Sequence, residues 1–173
     1  MKLIKPSVEL IEQEPGIEGI YKQIERAGRI CYKSEDKMEG KDVTKVENIN
    51  GTNVTIRVYR LSEPFVKMLI EREHNAMLEH GTVYLKVNLP KDEITPGESL
   101  YHYKHNPYST YNIFEGVAYV TTNYRVLVEN EWLDDLKYMC EPTQYHNKRY
   151  TLKFTTSIGI TRELIRHKTV CVA

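Results

Sequence analysis

The sequence predicts an α+β fold, with a small mixed or antiparallel sheet and flanking helices. Two observations predict it: apolar residues recur at helical spacing in several separate segments, and other segments alternate apolar and polar residues as half-buried strands do. These segments do not alternate regularly as strand and helix, which disfavours a doubly wound parallel sheet. A length of 173 residues is typical of one domain, so we expect residues 1–173 to share a single core.

The N-terminal segment is predicted to form an edge strand followed by a helix. Residues 2–11 carry short apolar runs around Pro6, and proline suits an edge strand because it donates no backbone hydrogen bond. The helix is expected to begin after Pro15-Gly16, where the apolar spacing starts. Its predicted buried face comprises Ile17, Ile20, Ile24, Ala27 and Cys31.

The next part of the chain is predicted to contain a loop, two strands and a helix. Residues 33–51 are polar and indicate a loop that ends in an Asn50-Gly51 turn, before an alternating strand centred on Ile56. A capping hydroxyl and an early proline in residues 62–64 then signal a helix start. The residues that share a face of this helix are Phe65, Met68, Leu69 and Arg72, and the following strand alternates through Val83, Leu85, Val87 and Leu89 until Pro90.

The C-terminal half begins with a tyrosine-rich segment, residues 101–111, which indicates an irregular loop. A short strand is predicted at 117–121, and the apolar spacing of 124–140 suits one or two helices. Tyr150, Leu152 and Phe154 alternate with polar residues and predict another strand. A last helix is expected over residues 158–168, with Ile160 and Leu164 on its inner face.

Composition excludes several classes of protein. The 24 basic residues equal the 24 acidic ones and no long basic run occurs, so we expect no nucleic-acid partner. No apolar stretch approaches the roughly 18 residues that span a bilayer, and the first 14 residues lack the apolar segment of a signal peptide. We therefore expect no membrane partner and a cytoplasmic protein. Its three cysteines, an odd number without metal-site spacing, are expected to be reduced.

Residues 161–168 are the stronger of two candidate sites. On a helix, Arg162 and Arg166 lie on one face, and their repulsion would be relieved by an anion such as a nucleotide phosphate. The alternative is structural: Arg166, His167 and Lys168 would complement the negative end of the helix dipole, while Glu163 pairs with His167.

The second candidate is residues 73–80, which hold two histidines and two carboxylates at a predicted helix end. His74 and His80 do not have the four-residue spacing that places two metal ligands on one helical face, so we expect no metal site there. A polar helix end with His80 bonded to backbone is the alternative. His102 and His105 lie in the tyrosine-rich segment, and no metal is expected there either.

Three segments, in order along the chain, resemble the flavin-dependent thymidylate synthase family. Residues 28–34 are similar to the family's early segment, and residues 73–80 are similar to its segment with histidine, four variable positions, glutamate and histidine. Residues 166–173 resemble the opening of its flavin-binding motif, in which two arginines flank a histidine. Residues 119–130 and 140–143 resemble a subgroup with an insertion at about 90–149 before that motif.

The resemblance implies a function. Members of the family reductively methylate dUMP to dTMP, with carbon from methylenetetrahydrofolate and hydride from NADPH passing through FAD. They are homotetramers whose active sites are shared between chains. The resemblance implies flavin contacts for Arg166, His167, Lys168, His74, Ala76 and Glu79, and dUMP contacts for Glu163, Leu164, Ile165 and Arg166.

The sequence departs from the family pattern near its end. Lys168 replaces the second arginine and loses the bidentate donor fork, and Cys171 replaces a serine. The chain ends at Ala173 inside the motif, so we expect the catalytic residues and the C-terminal part of the fold to be missing and the fragment to have no measurable synthase activity. The alternatives are a non-catalytic nucleotide-binding or oligomeric assembly fragment, a metal hydrolase that uses the histidine pairs, and an interaction domain that uses the tyrosine-rich segment.

Overall fold

The computed structural model describes residues 5–38, 42–49, 52–59, 62–89 and 100–165. Within these ranges the chain is an α+β fold of short antiparallel sheets and flanking helices. The strands are β1 (Ser7–Ile11), β2 (Asp42–Ile49), β3 (Thr52–Tyr59), β4 (Thr82–Asn88), β5 (Thr110–Phe114), β6 (Val117–Asn123) and β7 (Thr151–Thr155). The α-helices are α1 (Gly16–Cys31), α2 (Glu63–Glu71), α3 (Tyr124–Glu129) and α4 (Ile158–Ile165), and short 3-10 helices cover Glu35–Lys37, Asn75–His80, Tyr101–His105 and Leu133–Tyr138.

The strands pair in three separate antiparallel sheets. The central sheet has the order β4-β6-β5, with Leu85 opposite Val120 in the first pair of strands. The terminal strands β1 and β7 pair with each other, and β2 pairs with β3 as a hairpin. The expectation of a small mixed or antiparallel sheet is therefore confirmed in its antiparallel form, divided among three sheets.

One core joins the central sheet to α1, α2, α3 and the 3-10 helix Asn75–His80. Helix α1 packs closely against Gly81, the residue before β4. A Cβ atom at position 81 would lie 2.7 Å from Ile20 and 2.8 Å from Ile24, so a larger residue would not fit there. Residues 100–149, which the resemblance assigns to an insertion, are part of this core. They contribute Leu100, Tyr103, Val120, Tyr124, Val126 and Leu127.

Most predicted elements are confirmed, namely the strands at β1, β3, β4, β6 and β7 and the helices at α1, α2, α3 and α4. Two predicted loops are wrong, because residues 33–51 contain β2, and the tyrosine-rich segment contains a 3-10 helix and the first two residues of β5. Pairing with β3 and β6 supplies the hydrogen bonds that make these polar segments strands. The predicted Asn50-Gly51 turn lies outside the described residues.

Some predicted buried positions are exposed. Cys31 and Arg72 stand at or just beyond the last turns of α1 and α2, where the helices extend past the core. Ile160 is 54% exposed, because the exposed residues 158–163 of α4 pack on little of the described molecule. Cys31 and Cys140 are free, while Cys171 lies outside the described residues. In the part of the chain that the structure describes, no helix is both long enough and apolar enough to cross a membrane.

Candidate functional site

The candidate site forms where α1 and α2 end side by side. The two helices approach closely because position 28 carries no side chain: a Cβ atom on Gly28 would lie 2.7 Å from Cε1 of Phe65. The Arg29 guanidinium covers the same ring at 4.2 Å from its centroid, an arrangement that adds a cation–π attraction. The C-terminal turn of α1 is thereby held against α2.

Both helices end with the same backbone motif. After α1, the N–H of Ser34 donates to Arg29 O at 2.9 Å, and Lys33 adopts the left-handed conformation with φ of 50°. After α2, the N–H of His74 donates to Leu69 O at 2.9 Å, and Glu73 has φ of 57°. These are Schellman motifs, which satisfy the last carbonyls of a helix and reverse the chain sharply. They determine the direction in which Tyr32 and His74 leave their helices.

Tyr32 and His74 meet as a result. The Tyr32 hydroxyl is hydrogen-bonded to Nδ1 of His74, and the two rings lie side by side with centroids 6.0 Å apart and an interplanar angle of 29°. Both residues are exposed, so the pair faces solvent. Residues 28–34 and 73–80, two of the three segments that carry the family resemblance, are thus in direct contact although 42 positions separate this pair.

An ion-pair network continues the same surface. Asn123 caps α3 by accepting the N–H of Val126 at 3.0 Å. In the first turn of α3, Arg125 donates from Nε to Glu129 at 2.7 Å and from Nη1 to Glu79. The Glu129 hydrogen bond is the main reason that the pKa of Arg125 is raised, so the guanidinium stays charged.

Asn75 joins the network to the ring pair, because it follows His74 directly and its Nδ2 donates to Glu129 at 3.4 Å. Its Oδ1 is buried and has no hydrogen-bond partner among the described residues. We define the His74 surface as Tyr32, His74, Asn75, Glu79, Arg125 and Glu129.

The charges of the His74 surface favour some ligand groups over others. Two carboxylates outnumber the one guanidinium, and the partially negative C-terminal ends of α1 and α2 converge on the Tyr32–His74 pair. The two carboxylates therefore disfavour a phosphate next to Glu79 and Glu129. An uncharged aromatic ring with carbonyl or nitrogen acceptors fits better, because the exposed imidazole can both stack and donate, and the carboxylates can accept from ribose hydroxyls. The surface therefore favours an uncharged planar ring over a phosphate group.

The structure brings some predicted site residues together. His74, Ala76 and Glu79 lie in or beside the 3-10 helix Asn75–His80, with Ala76 exposed. On α4, Glu163 is exposed, Leu164 is half-buried, and Ile165 is the last residue of the helix. The predicted flavin contacts Arg166, His167 and Lys168 lie outside the described residues.

Four members of the His74 surface were not assigned a role from the sequence: Tyr32, Asn75, Arg125 and Glu129. The opposite charges of Arg125 and Glu129 at helical i,i+4 spacing are a signal that could have found that pair. No such signal exists for Tyr32, because its partner depends on how α1 packs against α2.

Other clusters lie apart from this surface. His102 Nε2 and the Tyr103 hydroxyl are both hydrogen-bonded to Asp135 Oδ2, at 2.9 and 3.1 Å. Among the residues described, no three His, Cys, Asp or Glu side chains form a group that could hold a metal ion. Two surface cavities of about 380 and 520 Å³ are lined mainly by β1, α1 and residues 139–153, and neither is lined by His74, Ala76 or Glu79.

Comparisons of the chain with protein-family models, with curated proteins and with solved structures found no match.

Proposed function

We propose that this chain carries part of the flavin site of a flavin-dependent thymidylate synthase. The reaction would be the reductive methylation of dUMP to dTMP, with methylenetetrahydrofolate as carbon donor and NADPH as hydride donor. FAD would supply the hydride transfer when bound, and the protein would bind and orient the reactants. The observation that carries the proposal is the contact between Tyr32 and His74, which joins two motif segments that are distant in sequence.

The His74 surface would hold the flavin ring. The imidazole of His74 and the phenol of Tyr32 offer an exposed aromatic platform, which is the kind of surface on which a planar heterocycle stacks. Ala76 is small and exposed beside them, so it leaves room for a ring to approach. Glu79 is held by Arg125, and its carboxylate oxygens can accept hydrogen bonds from the ligand.

Phosphate groups need positive charge, which we assign to another part of the chain. By resemblance, Arg166, His167 and Lys168 would hold the flavin phosphates, and Arg166 would also contact dUMP. Glu163, Leu164 and Ile165 would line the dUMP pocket. This division of roles agrees with the excess of carboxylates on the His74 surface, which suits the uncharged ring of the ligand.

We also propose a cytoplasmic homotetramer, as the resemblance implies. The free thiols of Cys31 and Cys140 support a reducing compartment. Self-association is supported by the outward face of the β1–β7 sheet, where Val8, Leu10, Leu152 and Phe154 are each 47 to 59% exposed. The same face also favours the alternative function, a non-catalytic oligomeric assembly fragment.

The test is a titration of the purified chain with FAD, followed by absorbance and by quenching of flavin fluorescence. We expect saturable binding that the His74→Ala change weakens about tenfold, because it removes both a stacking surface and a hydrogen-bond donor. His105→Ala is the matched control. It removes an exposed imidazole from the tyrosine-rich segment, away from the His74 surface, and should leave FAD affinity unchanged.

Sedimentation of the same samples separates the two functions. A tetramer that binds FAD supports the synthase proposal. An oligomer without saturable FAD binding, or equal loss of affinity in both variants, would contradict it, and the first of these results would favour the assembly fragment.

A further inference from the structure

Tyr32 differs from the other members of the His74 surface in one respect. Its hydroxyl contacts the ligand-facing imidazole itself, at Nδ1, whereas the remaining side chains contact one another through the Arg125 network. Which ring nitrogen of a neutral histidine carries the proton is determined by the hydrogen bond that the other nitrogen makes. The hydrogen bond from Tyr32 therefore determines whether Nε2 of His74 can donate a hydrogen bond to a ligand.

The direction of this hydrogen bond follows from the chemistry of the two groups. A phenolic hydroxyl is a good donor, and the unprotonated nitrogen of a neutral imidazole is a good acceptor. When the Tyr32 hydroxyl donates to Nδ1, the imidazole proton must reside on Nε2. The Nε2–H group then points away from Tyr32 and is available as a donor.

We propose that Tyr32 is a positioning residue that holds His74 in the Nε2–H tautomer, so that His74 donates a hydrogen bond to a carbonyl or ring-nitrogen acceptor of bound flavin. The inference rests on the proposed function for its ligand. The tautomer itself is a property of the free protein, because the Tyr32–His74 contact needs no ligand.

The backbone supports a fixed position for both side chains. Tyr32 is the residue that caps α1 and His74 is the second residue after the cap of α2, and each is adjacent to a left-handed residue, Lys33 or Glu73. Non-glycine residues in this conformation are costly and persist only when the surrounding structure holds them. The two side chains are consequently carried on well-defined helix ends held together by the Gly28–Phe65 contact.

The experiment compares wild type with Tyr32→Phe, which keeps the ring and removes only the hydroxyl. The first readout is the tautomer of His74, measured from the nitrogen-15 shifts of its ring in the absence of ligand. We expect one dominant Nε2–H tautomer in wild type and a mixture in Tyr32→Phe. The second readout is FAD affinity, which we expect to fall about three- to tenfold, the range for one hydrogen bond.

Tyr108→Phe is the matched control, because Tyr108 is 65% exposed and does not belong to the His74 surface. It should change neither readout. An unchanged His74 tautomer in Tyr32→Phe overturns the inference, as does an altered tautomer with unchanged FAD affinity. Absence of FAD binding by wild type overturns the proposed function and, with it, the ligand role of His74; this failure is distinguishable because it is seen before any substitution is made.

Discussion

At the scale of single residues, His146 shows how burial fixes the charge of an imidazole. Its Nδ1 accepts the N–H of Thr143 at 3.0 Å, and its Nε2 donates to Leu85 O at 3.1 Å. The ring is 5% exposed and lies edge-on to Tyr84 and Tyr119. Burial lowers the pKa of His146, and the neutral ring satisfies both neighbours. Protonation of Nδ1 would break the hydrogen bond from the Thr143 N–H, because Nδ1 could then no longer accept it.

This geometry predicts a loss of stability in acid. Because the folded pKa of His146 is depressed, the unfolded chain takes up a proton below its ordinary pKa of about 6.5 while the folded chain resists it. The stabilisation is therefore present above about pH 6.5 and is lost as the pH falls. Burial also lowers the pKa of His80, which adds to the effect.

The measurement is urea unfolding of wild type and His146→Asn from about pH 7.5 to about pH 5. Asparagine keeps an acceptor and does not titrate. We expect it to cost roughly 1–3 kcal/mol at the higher pH, through lost hydrogen bonding, and to reduce the decline towards low pH. Identical pH dependence of wild type and variant would contradict this account of His146.

At this scale the sequence points to only part of the candidate site. The resemblance assigns flavin contacts to His74, Ala76 and Glu79, which lie in or beside the 3-10 helix Asn75–His80, and these contacts stay a prediction. Tyr32 could not be paired with His74 beforehand. That contact depends on how α1 packs against α2 through Gly28 and the ring of Phe65. The apolar spacing within each helix does not specify this packing.

At the scale of elements, the three helices that surround the core end in the same way. Lys33, Glu73 and Glu131 have φ of 50°, 57° and 60°, and each is followed by a residue whose N–H bonds back into the helix. Glycine usually occupies this position because an L side chain there costs roughly 1–2 kcal/mol. The helix ends were therefore hard to predict, since the usual glycine signal is missing from all three.

The same observation predicts opposite effects for one substitution at two nearby positions. Glu73→Gly should raise the free energy of unfolding by about 0.5–1 kcal/mol, because glycine adopts the left-handed conformation without the steric penalty. Glu71→Gly, at the last helical residue of α2, should lower it by about 1 kcal/mol. Both residues are exposed, so chemical denaturation compares the backbone effects directly. Destabilisation by both changes would show that Glu73 makes interactions that outweigh its conformational cost.

Helices and strands were predictable where the spacing of apolar residues reflects burial in the core. They were not predictable where pairing with a neighbouring strand determines the structure. Helix α1 and strand β4 were predicted because their apolar residues face the core. Strands β2 and β5 were missed, because their polar residues become strands through pairing with β3 and β6. In β7 the alternation was read correctly as a strand, yet Leu152 and Phe154 face outward.

At the scale of the whole molecule, the apolar residues are unevenly distributed. The central sheet and α1 to α3 enclose one core, whereas the β1–β7 sheet and α4 present apolar side chains to solvent. A two-stranded sheet is marginally stable alone, so this face is the part of the fold that gains most from association. The fold class was predictable from periodicity, but the division into three sheets required the strand pairings.

The proposed flavin site is the His74 surface, and neither of the two surface cavities has a role in it. The most direct measurement is an isotope-filtered nuclear Overhauser experiment on labelled protein with unlabelled FAD. We expect contacts from the flavin ring protons to the rings of Tyr32 and His74. Contacts only to residues of the larger cavity, such as Tyr84 and Met139, would contradict it.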